Sequence, residues 1–318
     1  DEEAIIRCVN KHKAQAIFVR VELITRRVFE CCPTLKVVQE HGIGCDNIDL
    51  QAAAEHGVMV LNIPGGTTVA VSEHAVMMIF ALARDLPRQD ANVRRGVWPV
   101  LDKERTGVRQ VQLEGKNLFV IGFGSIGRRV ARKLLGMGME VSAYDGYVSA
   151  HQMAECGVTK AESLDDGLKW ADVVSIHAPL NDETFHMIST HQLKLMKNSA
   201  FLINCSRGGL VDEAALYDAL KNGDIAGAGI DVFAQEPIDP KSNPLVTMDR
   251  VIASSHCAGA SLEGRARPAI WGAQGILAAL KGEIPGANLV NRSQLKSANT
   301  LPELFACKRC YGPCGLYR

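Results

Sequence analysis

Short apolar runs alternate with segments whose apolar residues recur at helical spacing along most of the chain. The runs AIFVR (16–20), LKVVQE (35–40) and VMVLN (58–62) have strand composition. Between them, EEAIIRCVNKH (2–12), TRRVFECC (25–32) and DLQAAAEHG (49–57) repeat their apolar positions as amphipathic helices do. A long helix is expected from about Thr67 to Asp85, followed by a polar, broken stretch through RRGVWP and DKERTG. From LEGKNLFVIGFGSIG (113–127) the alternation restarts and runs to RVIASSHCAGAS (250–261). A last Ala-rich helix is expected over about Leu262 to Lys281. Strand-helix alternation of this kind predicts an α/β fold with parallel sheets. The first series opens on a helix, as though a strand preceded it.

Composition adds little against this picture. Lys+Arg and Asp+Glu are both 35, so no basic excess points to nucleic acid. The apolar runs are interrupted by Ser, Glu and His and predict buried helices rather than membrane spans. No targeting sequence is expected at the start. Cys8, Cys31, Cys32, Cys45, Cys156, Cys205 and Cys257 are scattered through apolar segments, which predicts a reduced, cytoplasmic protein.

The most specific local pattern is Gly122, Gly124 and Gly127 between an apolar strand and a helix, with a second strand ending at Asp145. That context is the dinucleotide-binding fingerprint. The first glycine makes the turn, the second admits pyrophosphate to the backbone, and the third lets helix pack on strand. The amides of Ser125 and Ile126 would face the phosphates at the positive end of the helix dipole. Asp145 would accept from the adenosine ribose hydroxyls and repel a 2′-phosphate, so the expected cofactor is NAD.

Three chemistry-bearing residues follow downstream. Arg207 lies in INCSRGGLVD, between a strand and a helix, Glu236 follows AGAGIDVF, and His256 ends VIASSH. Each falls just past a strand of one parallel sheet, where open α/β sheets place ligands. Singly, a solvated arginine, a loop glutamate and a core histidine are the plainer readings; in this order after this fingerprint the catalytic reading is preferred.

At this point the chain resembles the D-isomer-specific 2-hydroxyacid dehydrogenase family, up to about Asn291. The resemblance is carried by GIGCDNID, HAPL, NCSRGGLVDE and GIDVF, and NCSRGGLVDEAAL is most similar to phosphoglycerate dehydrogenase and hydroxypyruvate-reductase-like members. It implies hydride transfer between NAD(H) and a small 2-oxo or 2-hydroxy acid, reversibly. His256 would donate or accept the proton on the substrate oxygen. Glu236 would orient the imidazole and favour its charged form, and Arg207 would grip the carboxylate and polarise the carbonyl. By the same resemblance, Ile43 and Gly44 would bind the substrate carboxylate, and Arg20 a substrate phosphate. His177, Ala178 and Pro179 would border adenosine, Cys205 and Ser206 the nicotinamide ribose, and Asp231 the carboxamide.

The implied architecture is two doubly wound parallel-sheet domains, a Rossmann cofactor domain (86–262) inserted into a flavodoxin-like substrate domain (1–85 and 263–318). A homodimer with no nucleic-acid or membrane partner is expected. Val21, Thr67 and Ser255 depart from family residues (serine, asparagine and proline), which bears on the choice of acid. The alternative is an NAD-binding transcriptional-corepressor-like member with little turnover. From about residue 292 the chain no longer resembles the family. Cys307, Cys310 and Cys314 there lack a fourth ligand, and no metal is expected.

Overall fold

Strand-forming runs with side chains buried on both faces dominate the computed structural model, which describes residues 1–98, 110–283 and 288–298. The tail cysteines lie outside the described residues. The chain divides into two compact units, Asp1–Thr67 together with the residues from Ser261 on, and Thr68–Ala260.

The first unit contains α1 (Glu2–His12), β1 (Ala16–Val19), α2 (Arg26–Cys31), β2 (Val37–Glu40), α3 (Leu50–Glu55) and β3 (Met59–Leu61). Its three strands pair in sequence order, all parallel. Alternation along them decides which helices they meet. Val38 and Val60 pack with Val9, Val28, Phe29 and Ala53 of α1–α3. Val37, Met59 and Leu61 face the other way, toward Ala279. That alanine belongs to the long late helix (Leu262–Leu280), so this small sheet is covered on both faces. Asn291, fully buried, ties the end of the unit to β3: its Oδ1 accepts from Val60 N (3.0 Å) and its Nδ2 donates to Val58 O (2.9 Å).

The second unit runs α4 (Thr68–Ala83), α5 (Leu86–Arg94), β4 (Asn117–Ile121), α6 (Ser125–Leu135), β5 (Glu140–Tyr144), α7 (Ala150–Ala154) and β6 (Thr159–Lys160). It continues with α8 (Leu164–Trp170), β7 (Val173–Ile176), α9 (Thr190–Leu195), β8 (Phe201–Asn204), α10 (Glu213–Asn222), β9 (Gly227–Ile230) and β10 (Val251–Ala253). Its seven strands are all parallel in the order β10-β9-β8-β7-β4-β5-β6. Strand order reverses between β4 and β7, so the ligand crevice of a doubly wound sheet opens at their carboxyl ends. One face, with Leu118, Val120 and Ile203, meets α4 and α6; the other, with Phe119, Val174 and Leu202, meets α8–α10.

The units part at 67/68 and 260/261, against the sequence-based 85/86 and 262/263. The cause is α4, whose Met78 and Ile79 are fully buried in the larger unit's core. The stretch after α4, expected to be broken, begins with helix α5, started by Pro87 in its first turn.

Candidate active site

The turn after β4 is built by close approach. A Cβ on Gly127 would lie 2.2 Å from the carbonyl oxygen of Gly122, so only glycine lets α6 rest on its strand. Gly122 has φ +88°, and a Cβ there would strike the backbone of His177 and Ala178 across the crevice (2.6–2.7 Å). Around Gly124, by contrast, a Cβ meets no protein atom within 4 Å. Gly124 is also the N-cap of α6 and brings no side chain to it. The space in front of Ser125 and Ile126 therefore meets a helix N-terminus that a phosphate can cap, and the residues fit a dinucleotide.

Asp145, at the end of β5, accepts from Phe123 N through Oδ2 (2.8 Å), and from Tyr147 N (2.8 Å) and Val148 N (3.2 Å) through Oδ1. A carboxylate offers about four lone-pair sites. Three are occupied by the turn, which leaves room on Oδ2 for one ribose hydroxyl without rearrangement.

After β7, Ala178 is buried and Pro179 exposed. The His177 ring points inward: its Nε2 meets Ser175 Oγ at 2.8 Å, while buried Nδ1 finds no protein partner. Burial pushes its pKa down to about 4, so it is neutral near pH 7. Its main chain, rather than its ring, borders the crevice. Cys205 is likewise turned inward, its Sγ 3.9 Å from Met78 Sδ, and burial drives its thiol pKa strongly upward. Ser206 Oγ donates to Ala178 O (2.7 Å), which joins the loops after β7 and β8.

Arg207 does not pass directly from strand to helix. A single 3-10 turn, Gly208–Leu210, intervenes before α10. Buried Asn204 holds this corner, accepting from Ser206 N (3.0 Å) and donating to Arg207 O (2.9 Å). Arg207 Nη1 donates to Ser206 O (2.9 Å). Gly208 sits so near the next loop that a Cβ would be 2.0 Å from Phe233 C. The Arg207 corner and the segment leading to Glu236 are thus in backbone contact.

His256 Nδ1 and Glu236 Oε2 are 2.6 Å apart, their side chains 38% and 32% exposed. The carboxylate receives Nδ1–H, which leaves Nε2 for a reacting group. Glu236 Oε1 also accepts from Phe233 N (2.9 Å). Burial would raise the Glu236 pKa, but the bonds from His256 and the Phe233 amide, with the charges of His256 and Arg207, hold it below the usual carboxylate range.

Asp231 is fully buried and organises the histidine's loop. Its carbonyl accepts from His256 N (2.7 Å). Its carboxylate accepts from Ser254 Oγ and Cys257 N on Oδ1 and from Ala258 N on Oδ2. His74 Nε2 lies 2.9 Å from Ser254 Oγ. His74, Asp231 and Cys257 offer ligand atoms within 4.8 Å of one another, but hydrogen bonds already occupy the Asp231 oxygens. The expected carboxamide contact of Asp231 thus falls on a carboxylate engaged with its own loop. Asn204, Ser254 and His74 were not found from sequence, whereas Gly208 was read as easing the backbone beside Arg207.

Of the expected substrate contacts, Ile43 is 37% exposed in the loop after β2 and its carbonyl accepts from Asn62 Nδ2 (2.8 Å). Gly44 is next to it in that loop, and Arg20 is exposed directly after β1. All three belong to the first unit, whereas the cofactor residues, Arg207, Glu236 and His256 belong to the second.

Residues 76–258 match the family described as D-isomer specific 2-hydroxyacid dehydrogenase, NAD binding domain. The chain belongs to this family. Family members similar to it include a glyoxylate reductase of Korarchaeum cryptofilum, 41% identical over 86% of this chain and 81% of that protein. A D-3-phosphoglycerate dehydrogenase of Methanocaldococcus jannaschii is 39% identical over 84% of this chain and 50% of its own length. The chain spans about half the length of such phosphoglycerate dehydrogenases. Among solved structures of the family's fold, a D-lactate dehydrogenase from Aquifex aeolicus complexed with NAD and lactic acid matches with a TM-score of 0.78. It is 30% identical, with 93% of this chain and 88% of that chain covered. Among the described residues no helix is long and apolar enough to cross a membrane.

Proposed function

We propose that the protein is an NAD-dependent D-2-hydroxyacid dehydrogenase whose working residues are Arg207, Glu236 and His256. The observation that carries this reading is the 2.6 Å contact between His256 Nδ1 and Glu236 Oε2, on a loop whose backbone at Phe233 lies against Gly208 beside Arg207. When bound, NAD(H) supplies or takes the hydride. His256 Nε2, left free by that contact, gives a proton to the carbonyl oxygen in reduction and takes one from the hydroxyl in oxidation. Glu236 fixes the ring and balances the imidazolium. Arg207 presents a planar fork to the substrate's carboxylate and carbonyl oxygens. Ile43, Gly44 and Arg20 are assigned to the substrate's acid end and distal group. Ser125, Ile126 and Asp145, with the main chain of His177–Pro179 and Cys205–Ser206, are assigned to the cofactor.

The substrate is a small 2-oxo acid such as glyoxylate, hydroxypyruvate or 3-phosphohydroxypyruvate, in keeping with the names of the relatives. The protein works as a cytoplasmic homodimer on this reading, supported by free cysteines among the described residues and by exposed Met77, Leu86, Val93 and Trp98 on α4, α5 and just beyond. The test is NADH oxidation with each of the three acids, beside NADH binding by fluorescence. Turnover of at least one acid, abolished in His256→Ala with NADH still bound, is the expected result. NADH binding with no turnover of any of them would overturn the proposal.

A further inference from the structure

Glu236 sits on a loop that leaves β9 and returns through a 3-10 turn (Pro244–Thr247) to β10. Ordering a loop of this length costs conformational entropy that its contacts must offset. Leu245, Ile238 and Val246 pack into the core, and one polar side chain that belongs to neither strand joins the two ends. Glu213, the first residue of α10, accepts from Ala234 N through Oε1 (2.6 Å) and from Asn243 Nδ2 through Oε2 (2.7 Å). Asn243 in turn caps the 3-10 turn, its Oδ1 accepting from Leu245 N (3.0 Å). The two oxygens of one carboxylate therefore hold the beginning and the end of the loop, with Glu236 between them.

The helix itself does not require this. Its N-cap is Asp212, which accepts from Ala214 N and Ala215 N, and Ser189 Oγ in turn donates to Asp212. An acidic residue at the first position suits the helix dipole whichever way it points, but Glu213 is turned to the loop. Gly208 adds a second restraint, since its bare Cα lies against Phe233 and Ala234. The Phe233 amide is the one that donates to Glu236 Oε1. A short path thus runs from Glu213 through Ala234 and Phe233 to the carboxylate that meets His256.

We propose that Glu213 is a positioning residue for the reaction: it clamps both ends of the Glu236 loop and so presents Glu236 to His256 in one geometry. This rests on the reading of Glu236 and His256 as a working pair. The groups facing Glu236 are His256, Arg207 and the Phe233 amide, and all three lower its pKa. Loosening the loop weakens these contacts, and the Glu236 value rises toward that of an ordinary glutamate. Glu236 must be ionised to hold the imidazolium, so the acid limb of the rate profile moves to higher pH.

The experiment compares Glu213→Ala, Glu213→Gln, Glu236→Gln and the double variant Glu213→Ala/Glu236→Gln, using NADH with glyoxylate, hydroxypyruvate and 3-phosphohydroxypyruvate. Glu213→Ala is expected to lower kcat/KM about tenfold, with NADH affinity within about twofold of the parent and the acid limb shifted up. In the Glu236→Gln background the same substitution should cost less than about twofold, because residues acting through one contact are not additive. Glu213→Gln retains an acceptor for the Ala234 amide and recovers part of the loss. Hydrogen exchange over residues 232–243 gives a reading independent of turnover, faster in Glu213→Ala and unchanged in Glu236→Gln. Equal losses in both backgrounds, or an unchanged exchange rate in Glu213→Ala, would overturn the clamp. If Glu236→Gln itself leaves rate and pH profile intact, the working pair fails instead, and exchange alone then decides the clamp.

Discussion

Two glycines three residues apart predict opposite responses to the same methyl group. In Gly127→Ala the new Cβ falls 2.2 Å from Gly122 O and 3.0 Å from Val120 Cγ1. The first partner is backbone and cannot swing aside, so the start of α6 must retreat by roughly 1 Å, an overpacking cost of about 1–3 kcal/mol. At about 2–4 °C per kcal/mol for a unit of this size, that is several degrees in Tm. The amides of Ser125 and Ile126 move with the helix, so NADH binding weakens too. In Gly124→Ala the backbone has φ −79° and ψ −158°, extended values open to alanine, and the methyl meets no protein atom within 4 Å. Stability should stay within about 0.5 kcal/mol of the parent. The methyl nevertheless occupies the space assigned to pyrophosphate, and NADH affinity should fall by about tenfold or more, some 1.4 kcal/mol. Thermal unfolding without cofactor and NADH fluorescence titration separate the two effects. A Gly124→Ala protein that binds NADH like the parent would show that the dinucleotide does not approach this turn. A Gly127→Ala protein with unchanged Tm would refute the close approach of helix and strand.

Arg207→Lys keeps the charge and loses the fork, so kcat/KM for 2-oxo acid reduction should drop at least about tenfold while NADH still binds; unchanged steady-state kinetics would reduce Arg207 to a surface residue. Asp145→Ala should narrow the preference for NADH over NADPH, but lower Tm by removing the acceptor of three amides; a preference that stays put would mean that another residue sets it. Glu236 has a lowered pKa when folded, so its stabilisation is full above the ordinary carboxylate value near 4.5 and is lost as pH falls through the lower folded value. The stability gap between parent and Glu236→Gln should therefore be constant from neutral pH to about pH 5 and shrink below it; a gap that persists to pH 3 would contradict the sign. Ser254→Ala removes the hydroxyl between His74 and Asp231, and should reduce turnover more than NADH affinity; equal turnover in variant and parent would detach this network from His256.

What could be read in advance was local chemistry. Gly122, Gly124, Gly127 and Asp145 announce themselves because strand, turn and helix are contiguous in sequence. Arg207, Glu236 and His256 were legible as an order, each just past an apolar run. Their supports were not. Glu213 looks like an ordinary first-turn acid, and its bonds to Ala234 and Asn243 exist only once α10 lies beside the loop after β9. His74 stands in a helix that is apolar nearly all round, which signals burial without naming the sheet it covers; the core of the larger unit that takes up Met78 and Ile79 is not written in that pattern. Asp231 was assigned to the carboxamide by resemblance, and its bonds to residues 254–258 carry no signal in the sequence. The α5 helix had a readable signal in Pro87, outweighed by the charged residues around it.

His256 also occupies a backbone conformation that side chains other than glycine adopt reluctantly, with φ +50°. The four hydrogen bonds that Asp231 receives from Ser254, His256, Cys257 and Ala258 keep it there. An alanine scan at this position therefore subtracts two things together: a proton carrier, and a residue type tolerant of left-handed backbone. Histidine and asparagine are several-fold enriched in that region; alanine is not. His256→Asn leaves the main chain at ease while deleting the imidazole, whereas His256→Ala invites residues 254–258 to relax. The difference in Tm between those two variants would report the conformational tension of the segment, separately from its acid–base chemistry.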